Sequence, residues 1–419
     1  MSKFIVEGGY KLAGEIRVQG SKNAAFPVLA ASILADGPCT IENVPEITDV
    51  RNFLEILKFL GAKYLFKNHT VIIDTRALRG RNLPKKLVGR LRGSVLLAGP
   101  MLARFGKVDL AHPGGDAIGA RPIDVHLDGF RKLRARIEES GRTIRVTAPK
   151  GLRGGKIVLG VTSVTGTENL ILAGCLVKGV TEIRLADVSP HVQDLCRFLA
   201  RMGARIQGIG TPNLKITGVR RLRPAKYTLC SDEIEAVTFC VAAAATKSSL
   251  TVSGVELLNL DAPLAALERM NVNFETVKDK IKIKPPRGKY RSVRIITGVS
   301  PQLLTDEQPL LAVLATQAYG VTRIHDWIYE GRQGYLKALK KMGARVEFND
   351  AHRARVYGPS SLHGAEIKTP DLRAGASILI AALVARGKSI IYNAEIIDRG
   401  YERLDERLNA LGSRIKRVD

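Results

Sequence analysis

Cysteine is scarce in this chain, and its five copies form no pattern. Cys39, Cys175, Cys196, Cys230 and Cys240 are odd in number, and no two stand at the spacing of a metal knuckle or a redox pair. The thiols read as reduced, mostly core residues of a cytoplasmic protein. Aromatic residues amount to 5%, so the core must be filled by small aliphatic side chains. No apolar run approaches the roughly 18 residues that span a bilayer. The longest, Ala236 to Thr246, reads as a buried helix, and charges break up the opening Met-Ser-Lys-Phe-Ile-Val-Glu. The expectation is a soluble, non-secreted protein with no membrane segment. The seven histidines never fall at helical metal-ligand spacing with carboxylates, so no metal and no other cofactor is expected.

Acidic residues are also in deficit, 40 against 65 Lys and Arg, for a net charge of +25. That balance suits nucleic acid. The excess, however, is scattered through Lys85-Lys86, Arg131-Lys132, Arg220-Arg221 and Lys340-Lys341, with no basic tail and no interleaved aromatics. It reads as surface character, with a minority of cations serving anionic ligands and no specific nucleic-acid partner.

What is present in abundance is repetition. A pattern of apolar-Gly-Ala-basic recurs as Leu60-Gly-Ala-Lys63, Met202-Gly-Ala-Arg205, Met342-Gly-Ala-Arg345 and, slightly altered, Leu411-Gly-Ser-Arg414. Degraded copies are Leu133-Arg-Ala-Arg136 and Met270-Asn-Val-Asn273. The second residues fall at 61, 134, 203, 271, 343 and 412, so six units of about 70 residues account for the 419. Each unit reads as an apolar helix, a β-branched strand, an amphipathic helix ending at the Gly, and more strand. That alternation predicts an α/β (or α+β) protein built of repeated units. The apolar helices are expected to start near Asn23, Gly93, Thr167, Glu233, Glu307 and Ala374. Lys22, Arg92 and Arg373 stand at three of those starts. A cation at a helix N-terminus opposes the macrodipole, so three together predict an anion that balances them.

One stretch, Pro113-Gly-Gly-Asp-Ala-Ile-Gly-Ala-Arg-Pro-Ile-Asp-Val-His126, fits neither helix interior nor regular strand. Its glycines permit positive φ and its prolines stiffen the chain, so it predicts a polar loop of the kind that covers a ligand. Asp116 at its tip is a candidate proton donor or acceptor, and Arg121 presents a planar fork of donors to an anion.

This loop resembles the catalytic loop of the UDP-N-acetylglucosamine enolpyruvyl transferases, with Asp116 where a cysteine is usual. Gly20-Ser-Lys-Asn-Ala-Ala25, Gly99-Pro-Met-Leu-Ala-Arg-Phe-Gly106, Leu304-Thr-Asp-Glu-Gln308, Asp371-Leu-Arg-Ala374 and Ile397-Asp-Arg-Gly-Tyr-Glu402 also resemble that family, in the same order across the whole chain. The resemblance implies a two-domain inside-out α/β barrel, three repeats to a domain. It places one discontinuous domain at 1–21 plus 230–419 and the second at 22–229. It implies transfer of the enolpyruvyl group of phosphoenolpyruvate to the 3-hydroxyl of UDP-N-acetylglucosamine, the first committed step of peptidoglycan synthesis, by a cytoplasmic monomer.

Carried over residue by residue, the resemblance gives Lys22, Arg121 and Arg399 to the phosphate of phosphoenolpyruvate. It gives Arg332, Arg373 and Arg399 to the carboxylate side, with Arg92 as a further cleft arginine and Asn23 against the reacting groups. Asp306 is implied as general base for the sugar hydroxyl, and Asp116 as the group that protonates the methylene carbon. Arg121, Pro122, Asp124 and His126 are implied to grip the nucleotide. Ser163, Val164 and Thr165 would cradle the diphosphate through their backbone, and Ile328 would touch the N-acetyl sugar. Thr165 stands where glycine is frequent, Ser189-Pro-His191 where Glu-Pro-Glu is frequent, Glu233 where arginine is usual, and Tyr329-Glu-Gly-Arg-Gln-Gly-Tyr335 replaces Phe-Glu-Asn-Arg-Phe-x-His. These departures keep a different nucleotide sugar open as acceptor. The related shikimate-pathway enzyme would need a Gly-Asn-Ala-Gly-Thr segment that is absent, and a basic RNA-binding repeat scaffold would leave Asp306, Asp116 and the ordered motifs unexplained.

Overall fold

The computed structural model describes residues 2–80, 82–111, 114–115, 118–141 and 143–419. Among them, the α-helices longer than a single turn are α1 (Lys22–Ala31), α2 (Thr48–Leu60), α3 (Ala98–Phe105), α4 (Asp124–Lys132), α5 (Val164–Gly174), α6 (Pro190–Arg201), α7 (Glu233–Ala245), α8 (Asp261–Arg269), α9 (Gln308–Ala315), α10 (Tyr335–Lys341), α11 (Leu372–Val384) and α12 (Leu404–Ala410). They alternate in kind. The odd-numbered helices are predominantly apolar and lie inside: every residue of α7 and α9 is buried, and α3 leaves only Ala103, Arg104 and Phe105 partly exposed. The even-numbered helices are amphipathic, with one apolar stripe turned inward, as α2 buries Val50, Phe53, Leu54, Leu57 and Leu60 and leaves Arg51 and Lys58 in water. The second apolar helix, α3, starts at Ala98 rather than near Gly93, because Arg92–Leu97 forms a tighter 3-10 turn ahead of it.

The recurring second residues have one backbone conformation. Gly61, Arg134, Gly203, Asn271, Gly343 and Gly412 all take positive φ, at 111°, 71°, 103°, 63°, 96° and 106°. Each stands just past an even-numbered helix, where a left-handed residue lets backbone N–H groups reach back to the last carbonyls. Gly61 N–H, for instance, reaches Lys58 O and Ala62 N–H reaches Leu57 O. The degraded copies keep the conformation without the glycine.

The chain divides into two units. Unit 1 comprises 1–19, 116–120 and 231–419, and unit 2 comprises 20–115 and 121–230. Unit 1 is discontinuous because the N-terminal strands complete its sheets. Lys3–Glu7 lies between Lys388–Tyr392 and Arg414–Val418, antiparallel to both, and Ala13–Arg17 runs parallel to Ser249–Ser253. In unit 2, Lys226–Thr228 runs parallel to Cys39–Glu42 in the same way. Each unit carries three separate sheets among the described residues, five of four strands and one of three. None closes on itself; five are mixed and the three-stranded one is antiparallel, and each turns an apolar face toward the buried helices, as the expected inside-out arrangement requires. In unit 1, α7, α9 and α11 pack on one another. Their Ala and Val residues bring the axes close, and the surrounding core draws on Phe4, Ile281, Ile324 and Ile391. All five cysteines are buried and free, and unit 2's core holds Cys39, Cys175, Cys196 and Cys230. No helix is long and apolar enough to cross a membrane among the described residues.

Candidate active site

In unit 1 the interior helices begin at one polar cluster. Asp371 caps α11 by accepting from Arg373 N and Ala374 N, both at 3.0 Å. Asp232 caps α7 by accepting from Ile234 N at 3.0 Å and Glu235 N at 2.9 Å. These caps satisfy N–H groups that have no intrahelical acceptor. Beside them, two guanidinium groups converge on one carboxylate. Arg332 Nη2 donates to Asp306 Oδ1 at 2.5 Å and Arg373 Nε donates to Asp306 Oδ2 at 3.2 Å. Both arginines are 3% exposed, whereas the Asp306 side chain is 27% exposed. Its carboxylate therefore forms the mouth of a cationic recess.

The recess is braced from behind. Arg332 Nε donates to Thr305 Oγ1, which donates to Asp326 Oδ2 at 2.6 Å, and Asp326 Oδ1 takes the N–H groups of Ile328 and Tyr329. The Arg373 guanidinium lies over the Tyr401 ring at 5.3 Å, and the Tyr401 hydroxyl pairs with Thr238 at 2.9 Å. Burial pushes the Glu307 carboxyl up to about 8, and the neighbouring Glu233 and Asp306 charges push the same way. Asp232 is likewise raised by burial. Ile328 N–H is thus committed to Asp326. Arg399 ends the 3-10 turn Ala394–Arg399, which is held by a double hydrogen bond from Arg417 to Asp398.

Unit 2 holds the other expected residues. Lys22 opens α1 and pairs with Asp49 at 2.8 Å; Asn23 follows it. Arg92 Nη2 donates to Pro122 O at 3.1 Å. Gly115, at φ 118°, leaves no room for a side chain: a Cβ there would stand 2.9 Å from Arg92 Cβ and 3.4 Å from Arg121 Nη1. Pro122 and Asp124 line a groove of about 960 Å³, whose other walls include Lys132, Lys156, Gly160 and Val161. Ser163 caps α5 by accepting from Gly166 N, and Val164 and Thr165 form the first turn.

His126 is 2% exposed and hydrogen-bonded to Asn169 and Thr165. Burial pushes its imidazole down to about 3, with the Arg92 charge adding to the effect, and it is neutral at physiological pH. Two of the three helix-start cations meet carboxylates of the chain itself, Lys22 at Asp49 and Arg373 at Asp306. Asp116 lies outside the described residues. Residues 118–120 of the same loop cluster with unit 1, where Gly331 N donates to Ile118 O and Ala120 N to Glu330 Oε1. Gly331 is required there, since a Cβ would come within 2.7 Å of the Ile118 carbonyl carbon. Tyr329–Tyr335, one of the departing segments, thus has a structural reason for its glycine. Sequence reading missed Asp49, Asp326 and Asn169. Among the bracing groups, Thr305 and Tyr401 were inside recognised motifs.

The chain matches the family model of EPSP synthase (3-phosphoshikimate 1-carboxyvinyltransferase) over residues 6–408. It is 39% identical over 425 residues to a UDP-N-acetylglucosamine 1-carboxyvinyltransferase of Xylella fastidiosa and 39% identical over 419 residues to that of Idiomarina loihiensis, with both chains fully covered in each case. Among solved structures, the enolpyruvyl transferase NikO from Streptomyces tendae superposes with a TM-score of 0.91 at 28% identity, covering 100% of this chain and 99% of that one. EPSP synthase from Acinetobacter baumannii superposes at 0.76 with 20% identity and full coverage of both, a likeness of fold. Full-length identity to the first group, on a fold common to all of them, makes this chain a member of the EPSP synthase family, within its UDP-N-acetylglucosamine 1-carboxyvinyltransferase branch.

Proposed function

We propose that this chain transfers the enolpyruvyl group of phosphoenolpyruvate to the 3′-hydroxyl of UDP-N-acetylglucosamine and releases phosphate. The observation that carries the reading is the pair of buried guanidinia, Arg332 and Arg373, converging on Asp306. Two such donors, desolvated and braced, form a bidentate seat for a small carboxylate. Asp306 itself occupies that seat here. When phosphoenolpyruvate brings its own carboxylate, Asp306 is released to act as base.

The chemistry divides among named groups. In unit 1, Arg332, Arg373 and Arg399 hold the carboxylate side of phosphoenolpyruvate, and Asp306 takes the proton from the sugar 3′-hydroxyl. The sugar oxygen bonds to C2 of phosphoenolpyruvate, C3 gains a proton, and a tetrahedral adduct results. In unit 2, Lys22 and Arg121 compensate the phosphate charge that grows as the C2–O bond breaks. C3 then returns its proton, the double bond re-forms, and inorganic phosphate leaves. Asp116, by its place in the loop sequence, is assigned the proton transfers at C3. Pro122, Asp124 and the first turn of α5 receive the nucleotide.

Phosphate release in the presence of phosphoenolpyruvate tests the reading. Turnover is expected with UDP-N-acetylglucosamine and not with shikimate 3-phosphate. Release with shikimate 3-phosphate alone would place the chain in the other branch of the family, and release with neither would refute the acceptor assignment.

A further inference from the structure

Thr165 has a hydroxyl whose proton direction is dictated from the core. The direction is set at Asn169, which is fully buried. Its Oδ1 accepts from Gly99 N at 2.7 Å, and its Nδ2 donates to Val95 O at 2.9 Å. Flipping the amide would set two donors against each other at Gly99 and two acceptors at Val95, so its orientation is fixed. A Cβ at Gly99 would fall 2.3 Å from the Asn169 carbonyl oxygen, so glycine is what lets this contact form. The second Nδ2 hydrogen of Asn169 points at His126 Nδ1, 2.9 Å away. That nitrogen must therefore accept, and a neutral imidazole that accepts at Nδ1 carries its proton on Nε2. His126 Nε2 lies 3.1 Å from Thr165 Oγ1. It donates to that oxygen, so the Thr165 hydroxyl must direct its own hydrogen elsewhere.

We propose that Thr165 is a specificity-determining residue for the nucleotide diphosphate, its hydroxyl turned out as a donor by the Gly99–Asn169–His126 relay. Three donors then meet one phosphate at the start of α5: the N–H groups of Val164 and Thr165, which have no intrahelical acceptor, and the Thr165 hydroxyl. His126 and Asn169 are positioning residues in this scheme. The inference rests on the nucleotide-sugar reading above and deepens it: this chain binds the diphosphate through a side-chain donor that a glycine at the same place would lack.

The test is binding of UDP and of uridine, by calorimetry, to the wild-type chain and to Thr165→Val and Thr165→Ser. A hydrogen bond to a charged, partly solvated phosphate is worth roughly 10-fold in affinity. Thr165→Val is expected to weaken UDP about 10-fold, leave uridine within about twofold, and raise KM for UDP-N-acetylglucosamine with kcat little changed. Thr165→Ser is expected to restore UDP binding. Nitrogen-15 spectra of His126 should show the Nε2–H tautomer, unchanged between about pH 5.5 and 8, since a neutral buried imidazole does not titrate there. If wild type binds both ligands and Thr165→Val matches it for UDP, or loses UDP and uridine equally, this inference alone fails. An Nδ1–H tautomer would overturn the relay. Wild type that binds neither ligand would overturn the nucleotide-sugar reading and this inference with it.

Discussion

Replacing Asp306 by asparagine separates two roles that its position combines. Its carboxylate sits between Arg332 at 2.5 Å and Arg373 at 3.2 Å. At an effective dielectric near 20, unit charges about 3 Å apart attract by roughly 5 kcal/mol. Much of that is offset by desolvation of the buried guanidinia and by water at the exposed edge of Asp306, leaving a net of about 1–2 kcal/mol. An incoming substrate carboxylate must displace this contact. The Asp306→Asn side chain keeps the shape and one acceptor but not the charge. Phosphoenolpyruvate should therefore bind the variant about 5- to 30-fold more tightly than wild type. Turnover should fall by about 100-fold or more, because an amide cannot take the sugar proton. Calorimetric titration with phosphoenolpyruvate alone and phosphate release with both substrates measure the two effects. Equal or weaker phosphoenolpyruvate affinity in the variant would refute the seat-occupancy argument, and wild-type turnover would refute the base.

Three other outcomes are expected. Burial holds the Glu307 carboxyl near 8 against an ordinary value of 4.5; between those values the folded state keeps a proton that the unfolded chain has lost, so this group's stabilising contribution decreases as pH rises from about 4.5 through 8. Glu307→Gln, always neutral, should therefore gain in Tm relative to wild type from about pH 5 to 8.5, and a pH-independent difference would count against the buried proton. Gly203 takes φ 103° with open space around it, so Gly203→Ala should destabilise by about 1 kcal/mol through backbone strain alone, whereas Arg134→Gly, at φ 71°, should stabilise by up to about 1 kcal/mol; matching signs in denaturant titrations would refute the helix-end account. Fosfomycin should not inactivate the wild-type enzyme, since a carboxylate at 116 is a poor nucleophile toward an epoxide; Asp116→Cys should stay active and lose activity over time with the drug, and a drug-insensitive, active variant would remove residue 116 from the reacting carbon.

Much of the architecture was legible in linear order because its causes are local. The apolar-Gly-Ala-basic pattern marks a helix end wherever it occurs, and its six copies report six repeats. Even Arg134 and Asn271, which lack the glycine, take the same left-handed turn, because the strand that follows must start in the same direction. The predominantly apolar composition of α7 and α9 similarly announces burial on every side. Asp306, Arg332 and Arg373 could be named from motifs, since each motif is short and contiguous.

The partners of those residues could not be read in this way. Lys22 and Arg373 looked unbalanced at their helix starts, yet Asp49 and Asp306 lie against them. Those pairs are far apart along the chain and are brought together only when the helices pack. His126 shows the same limit more sharply. Its place in a ligand-loop motif says nothing of its partners, and packing of α4 against α5 buries it between Asn169 and Thr165. Helix ends and apolar runs depend on neighbours in sequence, so composition and spacing reveal them. The direction of a hydroxyl proton, or the carboxylate that neutralises an arginine, depends on which surfaces meet, and that is settled by the packing of distant segments.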